Sequence, residues 1–246
     1  MKILRITSRE NPRVKHIVKL MASRDYRYEQ KQYVLEGARS LDGLQQVEEI
    51  FVRDGIEPPA IKAKALYTLS PSLFEATAGT EHSQGVMAIS ALPPQLEIID
   101  HKKRYILLDR LQDPGNMGTI IRTACAFGLE GLLLTKGSTD PFSPKVVRSA
   151  MGAERSMPLR LLRSLEELSG CNVIVADMKG NPLPAFVWPS GYVLCIGSEA
   201  QGIAPELHNI ANDTVAIPMN KKMESLNAAV SAGILLYAST GHCHGG

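Results

Sequence analysis

The fold of this chain is decided by the stretch Tyr192-Val193-Leu194-Cys195-Ile196-Gly197-Ser198-Glu199-Ala200-Gln201-Gly202-Ile203. Its first five residues are all apolar, without alternation of apolar and polar positions, which is typical of a strand covered on both faces. The glycines on either side of Glu199 allow a tight turn whose backbone N–H groups approach a ligand closely. A buried strand that ends in such a turn indicates a parallel sheet with a ligand-binding edge.

Similar apolar runs recur on both sides of this stretch, and helical patterns lie between or after them. The further strand candidates are Tyr105–Leu108, Gly131–Thr135, Asn172–Ala176 and Thr214–Ile217. The helical patterns are Thr119–Phe127, Lys145–Ala153, Leu165–Leu168 and Leu226–Tyr237. This alternation predicts an α/β fold, a parallel sheet with helices on both sides. Because ligands gather at the carboxyl ends of such strands, the site is expected in the loops there.

A separate pattern precedes this sheet. Asn11 followed by Pro12 suits the cap and the first residue of a helix. Apolar residues then recur at helical spacing and define one face, formed by Val14, Ile17, Val18 and Met21. A strand is predicted over residues 33–37 and a helix over Ala38–Gln46, with short alternating runs as far as Ile89. These elements predict a small α/β domain ahead of the larger sheet.

Two adjacent prolines mark the boundary between the two parts. They lie in Ala91-Leu92-Pro93-Pro94-Gln95, and proline disfavours the continuation of a helix or a strand. The predicted organisation is therefore a first domain over residues 1–92, a linker over 93–101 and a second domain over 102–246.

The composition is that of an ordinary globular protein of 246 residues, with 44% hydrophobic and 21% charged residues. It excludes a disordered, collagen-like or coiled-coil chain. Although the net charge is only +2, residues 1–39 carry ten Lys/Arg against four Asp/Glu, whereas residues 40–100 carry three against nine. The basic N-terminal segment suits a polyanionic partner, but a solvated helix face explains the charge alone equally well.

Neither a membrane segment nor a metal site is predicted. No apolar run approaches the roughly 18 residues of a membrane span, and the start of the chain lacks the apolar core of a secretory signal. The four cysteines lie far apart and are interpreted as reduced thiols of a cytoplasmic protein. The adjacent side chains of His242-Cys243-His244 cannot all converge on one ion.

The loop after Tyr105–Leu108 carries the first candidate site residues. Pro114-Gly115 predicts a turn, after which Asn116 or Gly118 opens a helix. Arg122 then falls about one turn inside that helix, where its charge opposes the helix dipole. This position implies either an anionic ligand or a carboxylate that pairs with a structural arginine.

The loop after Thr214–Ile217 carries further candidates. Ser225 suits the N-cap of the helix from Leu226, and Asn227 lies on the first turn of that helix. Capping alone explains such a pair as well as a functional role does. The chain contains no dinucleotide-binding, P-loop or serine hydrolase motif.

Taken together, the three loops resemble motifs 1, 2 and 3 of the SpoU/TrmH family in order and spacing. The matching residues are Asn116…Arg122, Gly197-Ser198-Glu199…Gly202 and Ile217-Pro218-Met219…Ser225-Leu226-Asn227. This family comprises S-adenosylmethionine-dependent RNA ribose 2′-O-methyltransferases of the SPOUT superfamily. The resemblance covers residues 103–240. Its small departures, Ala200 and Asn220-Lys221-Lys222 where the family is richer in glycine, bear on loop shape and nucleotide preference.

The N-terminal part is also similar to this family. Residues 33–39 (Tyr-Val-Leu-Glu-Gly-Ala-Arg) and 83–88 (Ser-Gln-Gly-Val-Met-Ala) look like its small, L30e-like substrate-binding domain. The resemblance implies a SPOUT α/β fold whose C-terminal chain forms a deep trefoil knot, an exception to the usual unknotted topology. It also implies a bent S-adenosylmethionine within the knot and a homodimer, formed through the C-terminal domain, that completes the site.

The resemblance assigns roles residue by residue. The cofactor-binding residues are expected to be Gly197, Ser198, Ile217, Met219 and Leu226. The catalytic set is expected to be Asn116, Arg122, Glu199, Ser225 and Asn227. Because a guanidinium stays protonated, Arg122 is expected to bind the target phosphate or stabilise the forming alkoxide rather than act as a base. The proton would then leave through that phosphate, Glu199 or water.

RNA is the expected partner. Phosphate contacts are expected from the basic N-terminal segment, which includes Arg27, and from two residues of the second domain. The residues chosen are Arg9, Arg13, Lys15, Lys19, Arg39, Lys145 and Arg148. Ribosomal RNA is favoured over transfer RNA by family implication only. The alternatives are a transfer RNA 2′-O-methyltransferase, a base-methylating enzyme of the same superfamily, and a non-catalytic RNA-binding protein on the same scaffold.

Overall fold

The structure, a computed structural model, describes residues 3–79, 83–198, 200–220 and 225–240. The chain divides into two compact units. The first comprises Met1–Pro93 and Asp140–Gly152, and the second comprises Pro94–Thr139 and Ala153–Gly246. The first unit therefore takes in a segment that the sequence analysis assigned to the second domain. A linker over 93–101 stays a prediction.

The first unit is built on a five-stranded mixed sheet. Its strands are β1 (Ile3–Ile6), β2 (Gln32–Glu36), β3 (Gln46–Arg53), β4 (Lys62–Leu69) and β5 (Val86–Ala91). They lie in the order β1-β4-β3-β5-β2, with β4 parallel to β1 and β3, and with β5 antiparallel to β3 and β2. The helices are α1 (Pro12–Ala22), α2 (Arg24–Gln30), α3 (Ala38–Leu41), α4 (Pro71–Thr77) and, from the later segment, α6 (Pro144–Ala150).

Helix α1 begins as the sequence predicts. The Asn11 side chain accepts a hydrogen bond from the backbone N–H of Arg13 (2.9 Å), and Pro12 occupies the first helical position. The buried face differs from the predicted one: Leu20 is fully buried, whereas Val18 is 43% exposed. The apolar stripe is thus turned by a fraction of a helical turn toward Leu20.

The helix predicted over Ala38–Gln46 begins at Ala38 but is too long. Helix α3 already ends at Leu41, and Asp42 follows in an extended conformation. Gly43 then adopts the left-handed region (φ 76°), which a helix cannot continue through, and β3 begins three residues later at Gln46. The Asp-Gly pair acts here as a helix stop.

A buried ion pair attaches the Asp140–Gly152 segment to the rest of the first unit. Arg27 is 3% exposed and Asp140 is 7% exposed. The Arg27 Nε donates to Asp140 Oδ2 at 2.7 Å, and its Nη1 donates to the Leu20 carbonyl at 2.5 Å. The prediction that Arg27 contacts phosphates is therefore wrong, because its guanidinium is buried and paired.

Aromatic side chains surround this ion pair. Tyr28 donates its hydroxyl to Asp140 (3.3 Å), and burial together with the charge of Asp140 raises the pKa of Tyr28 above its usual value. The Phe142 ring packs against those of Tyr28 and Tyr33, with centroids 6.3 and 5.2 Å away. Residues around Asp140 therefore form part of the core of the first unit.

The second unit is an α/β fold on a six-stranded parallel sheet, as predicted. Its strands are β6 (Arg104–Asp109), β7 (Gly131–Leu134), β8 (Leu159–Leu161), β9 (Val173–Pro182), β10 (Tyr192–Gly197) and β11 (Asp213–Ala216). They lie in the order β11-β9-β10-β6-β7-β8, and every pair is parallel. The helices are α5 (Pro114–Ala126), α7 (Pro205–Ile210) and α8 (Ala228–Ser239).

All five predicted strands of this sheet are present, and β8 and α7 are two elements that were not predicted. Strand β8 is only three residues long and sits at the edge of the sheet, where Leu96 donates its N–H to the Leu159 carbonyl at 3.0 Å. The threading of the C-terminal chain into a knot stays a prediction. Within the described residues, no helix is long and apolar enough to cross a bilayer.

Candidate active site

A cavity of about 200 Å³ lies at the carboxyl edge of the parallel sheet, wholly within the second unit. The middle of β9, the ends of β10 and β11, the loops that follow β10 and β11, and the first two turns of α8 form its walls. All five predicted cofactor residues line it: Gly197, Ser198, Ile217, Met219 and Leu226. The structure thus brings together residues that are up to 29 positions apart in the sequence. Their role in binding stays a prediction.

Part of the cavity wall is bare backbone. A Cβ atom added to Gly197 would lie 2.3 Å from the carbonyl carbon of Gly202, so the two glycines approach more closely than any side chain allows. Gly202 has φ 62° and donates its N–H to the Ser198 carbonyl at 2.8 Å. The predicted tight turn is therefore present, and it closes on itself beside the cavity.

Asn227 caps α8, and this corrects the sequence analysis. Its Oδ1 accepts hydrogen bonds from the backbone N–H groups of Ala229 (2.9 Å) and Val230 (3.2 Å). The helix begins at Ala228 rather than at Leu226, so Ser225 is not its N-cap. Ser225 instead lies in the cavity wall.

A side-chain hydrogen bond joins the first and third predicted motifs. The Nδ2 of Asn227 donates to Oδ1 of Asn116 at 2.9 Å, so one amide both caps α8 and contacts α5. Asn116 does not cap α5: Asp113 does, by accepting the backbone N–H of Asn116 at 2.7 Å. The two asparagines therefore lie together, next to the cavity residues Leu226 and Ala228.

Arg122 lies apart from this pair. Because α5 begins at Pro114, Arg122 is its ninth residue and lies beyond the first turn, where the helix dipole would act on its charge. It is six residues beyond Asn116, about 9 Å along the helix axis, and it is not among the described residues that line the cavity. Its side chain lies on the exposed face of α5, together with Thr119 and Ala126.

Some predicted residues lie outside the described ones. These are Glu199 of the catalytic set, Lys221 and Lys222 of the third loop, and the His242-Cys243-His244 tail. Among the described residues, no group of three or more potential metal ligands occurs.

The seven predicted RNA-binding residues all belong to the first unit. Six have exposed side chains: Arg9, Arg13, Lys15, Lys19, Arg39 and Lys145. Arg148 is partly buried, and its Nη1 lies 3.4 Å from Glu36. Arg13 pairs with Glu49 at 2.6 Å, and Lys15 pairs with Glu10. Their contact with RNA stays a prediction.

Sequence reasoning missed several cavity residues. Asp177 and Met178 lie in the middle of β9, beyond the apolar run that marked the strand. Ser231 and Leu235 line the cavity from α8, at the one-turn spacing of a helix face. This spacing within the predicted helix could have indicated from sequence that Ser231 and Leu235 share a face.

The described cysteines are free thiols and take no part in the site. Cys195 is fully buried in β10, and burial raises the pKa of its thiol far above the usual value. Cys171 is also buried and Cys125 is partly buried. Buried thiols of this kind are unreactive, because the thiolate is the reactive form.

The fold and the cavity define the class of protein. Apolar side chains, exposed backbone and a few polar groups at the carboxyl edge of a parallel α/β sheet suit a nucleoside-containing ligand. Comparison with known proteins agrees with this. The model of the SpoU rRNA Methylase family matches residues 103–237, and that of the MRM3-like substrate binding domain matches residues 11–88.

Relatives match over nearly the whole chain. The 23S rRNA (guanosine(2553)-2′-O)-methyltransferase RlmP of Bacillus subtilis is 32% identical over 94% of this chain and 97% of its own. The AdoMet-bound rRNA methyltransferase of Sinorhizobium meliloti is 27% identical, with a TM-score of 0.80 over 98% of both chains. AviRb of Streptomyces viridochromogenes, 24% identical, has the same fold, with a TM-score of 0.84 over 94% of this chain and 97% of its own.

This chain belongs to the SpoU rRNA methylase family, and the resemblance found in the sequence is confirmed. It is a methyltransferase by that membership.

Proposed function

We propose that this protein transfers a methyl group from S-adenosylmethionine to a ribose 2′-hydroxyl of ribosomal RNA. The observation that carries the proposal is the cavity, because the five residues expected to bind the cofactor all line it. The relatives named above act on ribosomal RNA or bind AdoMet, which supports both the substrate class and the donor.

The residues of the cavity fit this donor. Ile196, Ile217 and Leu226 provide apolar walls for a planar base, and Gly197 and Gly202 line the cavity without adding a side chain. S-adenosylmethionine, when bound, supplies a methyl group on a sulfonium, which is already an activated leaving group. The protein therefore has to position the 2′-oxygen and remove its proton, and alignment alone is worth about 7–11 kcal/mol in favourable cases.

The polar residues of the site have distinct tasks in this proposal. The Asn116–Asn227 hydrogen bond fixes the start of α5 against the start of α8, beside the cavity. Arg122 binds the phosphate of the target nucleotide or stabilises the forming alkoxide, since a guanidinium presents a planar fork of hydrogen-bond donors. The proton leaves through that phosphate, Glu199 or water.

The first unit supplies affinity for RNA in this proposal. Its exposed basic side chains on and near α1, Arg9, Arg13, Lys15 and Lys19, are suited to phosphates, and Lys19 also lies 5.5 Å from the Tyr26 ring. Such contacts are independent of sequence and weaken as salt is raised. We further propose that the protein acts in the cytoplasm, where its substrate would be found.

Mapping of ribose methylation tests this function. Ribosomal and transfer RNA from cells with and without the protein are compared by a method that detects 2′-O-methylation at single nucleotides. We expect one or a few ribosomal positions to lose methylation without the protein, and the purified enzyme to restore them in the presence of S-adenosylmethionine. Loss confined to transfer RNA would favour the alternative substrate, and no change in either RNA would favour a non-catalytic binding protein.

We also propose that the enzyme is a homodimer through its second unit. Helix α8 is apolar on all sides, yet Val230, Ile234 and Tyr237 are 49%, 37% and 51% exposed and share one face. A helix that is apolar all round is normally buried. The exposed face of α5 that carries Arg122 belongs to a helix packed against α8. A second copy over this surface would bury the stripe and bring its own Arg122 to the region.

Replacement of Val230 and Ile234 by glutamate is expected to dissociate the dimer, because each change places a charge in an apolar interface. Sedimentation equilibrium should report twice the chain mass for the wild type and the single-chain mass for the variant. The matched control is Ile98→Glu, because Ile98 is 77% exposed elsewhere on the second unit. This variant should still sediment with twice the chain mass. A wild-type protein that sediments as a monomer at micromolar concentration would contradict the proposal.

A further inference from the structure

Arg110 has an unusual backbone conformation. It directly follows β6 and has φ 53°, in the left-handed region that favours glycine. Residues held in such conformations concentrate at functional sites, where surrounding contacts offset the strain. The contacts made by the Arg110 side chain are therefore informative.

The first set of contacts joins Arg110 to a buried carboxylate. Asp109 is 2% exposed. Its Oδ2 accepts from Nε and Nη2 of Arg110, at 3.2 and 2.9 Å, and from the backbone N–H of Ala204 at 2.8 Å. Its Oδ1 accepts from the hydroxyl of Thr135 at 2.7 Å, and the same hydroxyl oxygen accepts the backbone N–H of Arg110 at 3.0 Å. Asp109 is thus saturated with donors and fixed in place.

The second set of contacts joins Arg110 to the loop between β10 and α7. Nη1 donates to the side-chain oxygen of Gln201 at 2.8 Å, and Nη2 donates to the carbonyl of Gly202 at 3.4 Å. Together with the bond from the Ala204 N–H to Asp109, these contacts tie Gln201, Gly202 and Ala204 to the two residues at the end of β6. Asp109 lies opposite Gly197 in the register of β6 and β10, so these contacts bridge neighbouring strand ends.

The loop so held forms part of the cofactor cavity, whereas Arg110 does not. Ser198, Gly202 and Ile203 line the cavity, and Arg110 is not among its described lining residues. Within the loop itself, a few hydrogen bonds fix the turn, such as that from Gln201 N–H to the Ser198 hydroxyl at 3.2 Å. The guanidinium acts on the cavity only through the loop.

We propose that Asp109 and Arg110 form a brace that holds this loop in the conformation that binds the methyl donor, with Arg110 as a positioning residue. The inference rests on the proposed function, since it takes S-adenosylmethionine as the ligand of the cavity. A loop without the brace samples other conformations, and the apparent Kd rises by the reciprocal of the binding-competent fraction. Strain at Arg110 is retained because the side chain performs this task.

The test replaces Arg110 by glycine, which removes the brace and relieves the backbone strain together. We expect the Kd for S-adenosylmethionine, measured by calorimetry, to rise about tenfold if the released loop is competent about one tenth of the time. The melting temperature should fall by only a few degrees, because the better fit of glycine to the left-handed region partly offsets the loss of the cation beside Asp109, and Asp109 keeps its hydrogen bonds from Ala204 and Thr135. Amide hydrogen exchange at Gly202 and Ala204 should become faster than in the wild type.

Two further variants separate positioning from other roles. Arg110→Lys keeps the charge but not the fork that reaches Asp109 and the loop together, so its Kd should lie between those of the wild type and Arg110→Gly. Met151→Gly is the matched control, because Met151 is also left-handed (φ 51°) but lies in the first unit. It should bind the donor with the wild-type Kd.

The outcomes distinguish the brace from the proposed function. If the wild type binds the donor and Arg110→Gly binds it with the same Kd, the brace is wrong and the function stands. If Arg110→Gly weakens only the binding of RNA, Arg110, whose side chain is 32% exposed, contacts RNA instead and the brace is overturned. If the wild type takes up no donor, the proposed function fails, and the brace fails with it.

Discussion

Replacement of Arg122 by lysine is expected to lower the kcat for methyl transfer about 100-fold, and replacement by alanine about 1000-fold. Lysine keeps the positive charge but offers a single ammonium in place of the planar fork that matches phosphate oxygens. The Kd for S-adenosylmethionine should not change, because Arg122 is not among the described residues that line the cavity. Single-turnover assays with saturating donor measure the effect on kcat directly.

The matched control is Arg163→Lys. Arg163 is also exposed on the second unit, and it has no assigned role in the site. We expect the wild-type rate from this variant. An Arg122→Lys enzyme that transfers methyl groups at the wild-type rate would show that the fork of Arg122 is not used in the transition state.

The second large effect is expected on stability. Removal of the Arg27 side chain in Arg27→Ala should lower the free energy of unfolding by about 3–5 kcal/mol, because it leaves the buried carboxylate of Asp140 without its cation. The Asp140→Leu variant should lose a similar free energy of unfolding, since it leaves the buried guanidinium of Arg27 without its carboxylate. Urea unfolding followed by circular dichroism measures both losses.

Combining Arg27→Met with Asp140→Leu should recover much of the lost stability, because an apolar pair leaves no buried charge uncompensated. Arg5→Ala is the matched control. Arg5 pairs with Asp54 on the surface, where their side chains are 66% and 43% exposed, and its removal should cost less than about 1 kcal/mol. A loss that small for Arg27→Ala would refute the structural importance of the buried pair.

Much of the parallel sheet can be predicted from sequence, because a strand buried on both faces needs a continuous apolar run. Residues 105–108 and 192–196 are such runs, and they lie within β6 and β10. The Asn11-Pro12 cap was also predictable, since its signal is local. The predicted strand ends indicated which loops hold the site, but the individual cofactor residues were assigned only through the family resemblance, because Gly197 and Leu226 are brought together by the fold of the whole unit.

Other features depend on contacts between distant residues and escaped prediction. Ser225 and Asn227 are both good helix caps, and packing against Asn116 selects the second. Arg27 lies in a basic segment whose pattern is typical of a surface helix. Only its contact with Asp140, 113 residues later, shows that the Arg27 side chain is buried. The conformation of Arg110 is likewise set by Asp109 and Thr135 rather than by its own preference.

The Asp140–Gly152 segment has a consequence for synthesis on the ribosome. A domain usually folds as a unit once its residues have emerged, with N-terminal domains first. Here the first unit lacks the carboxylate that neutralises Arg27, and the Phe142 ring that covers Tyr33, until the chain has been made beyond residue 142. The nascent N-terminal part therefore stays incompletely packed while β6, α5 and β7 are translated, and slow translation over residues 94–139 would prolong its exposure to aggregation and proteolysis.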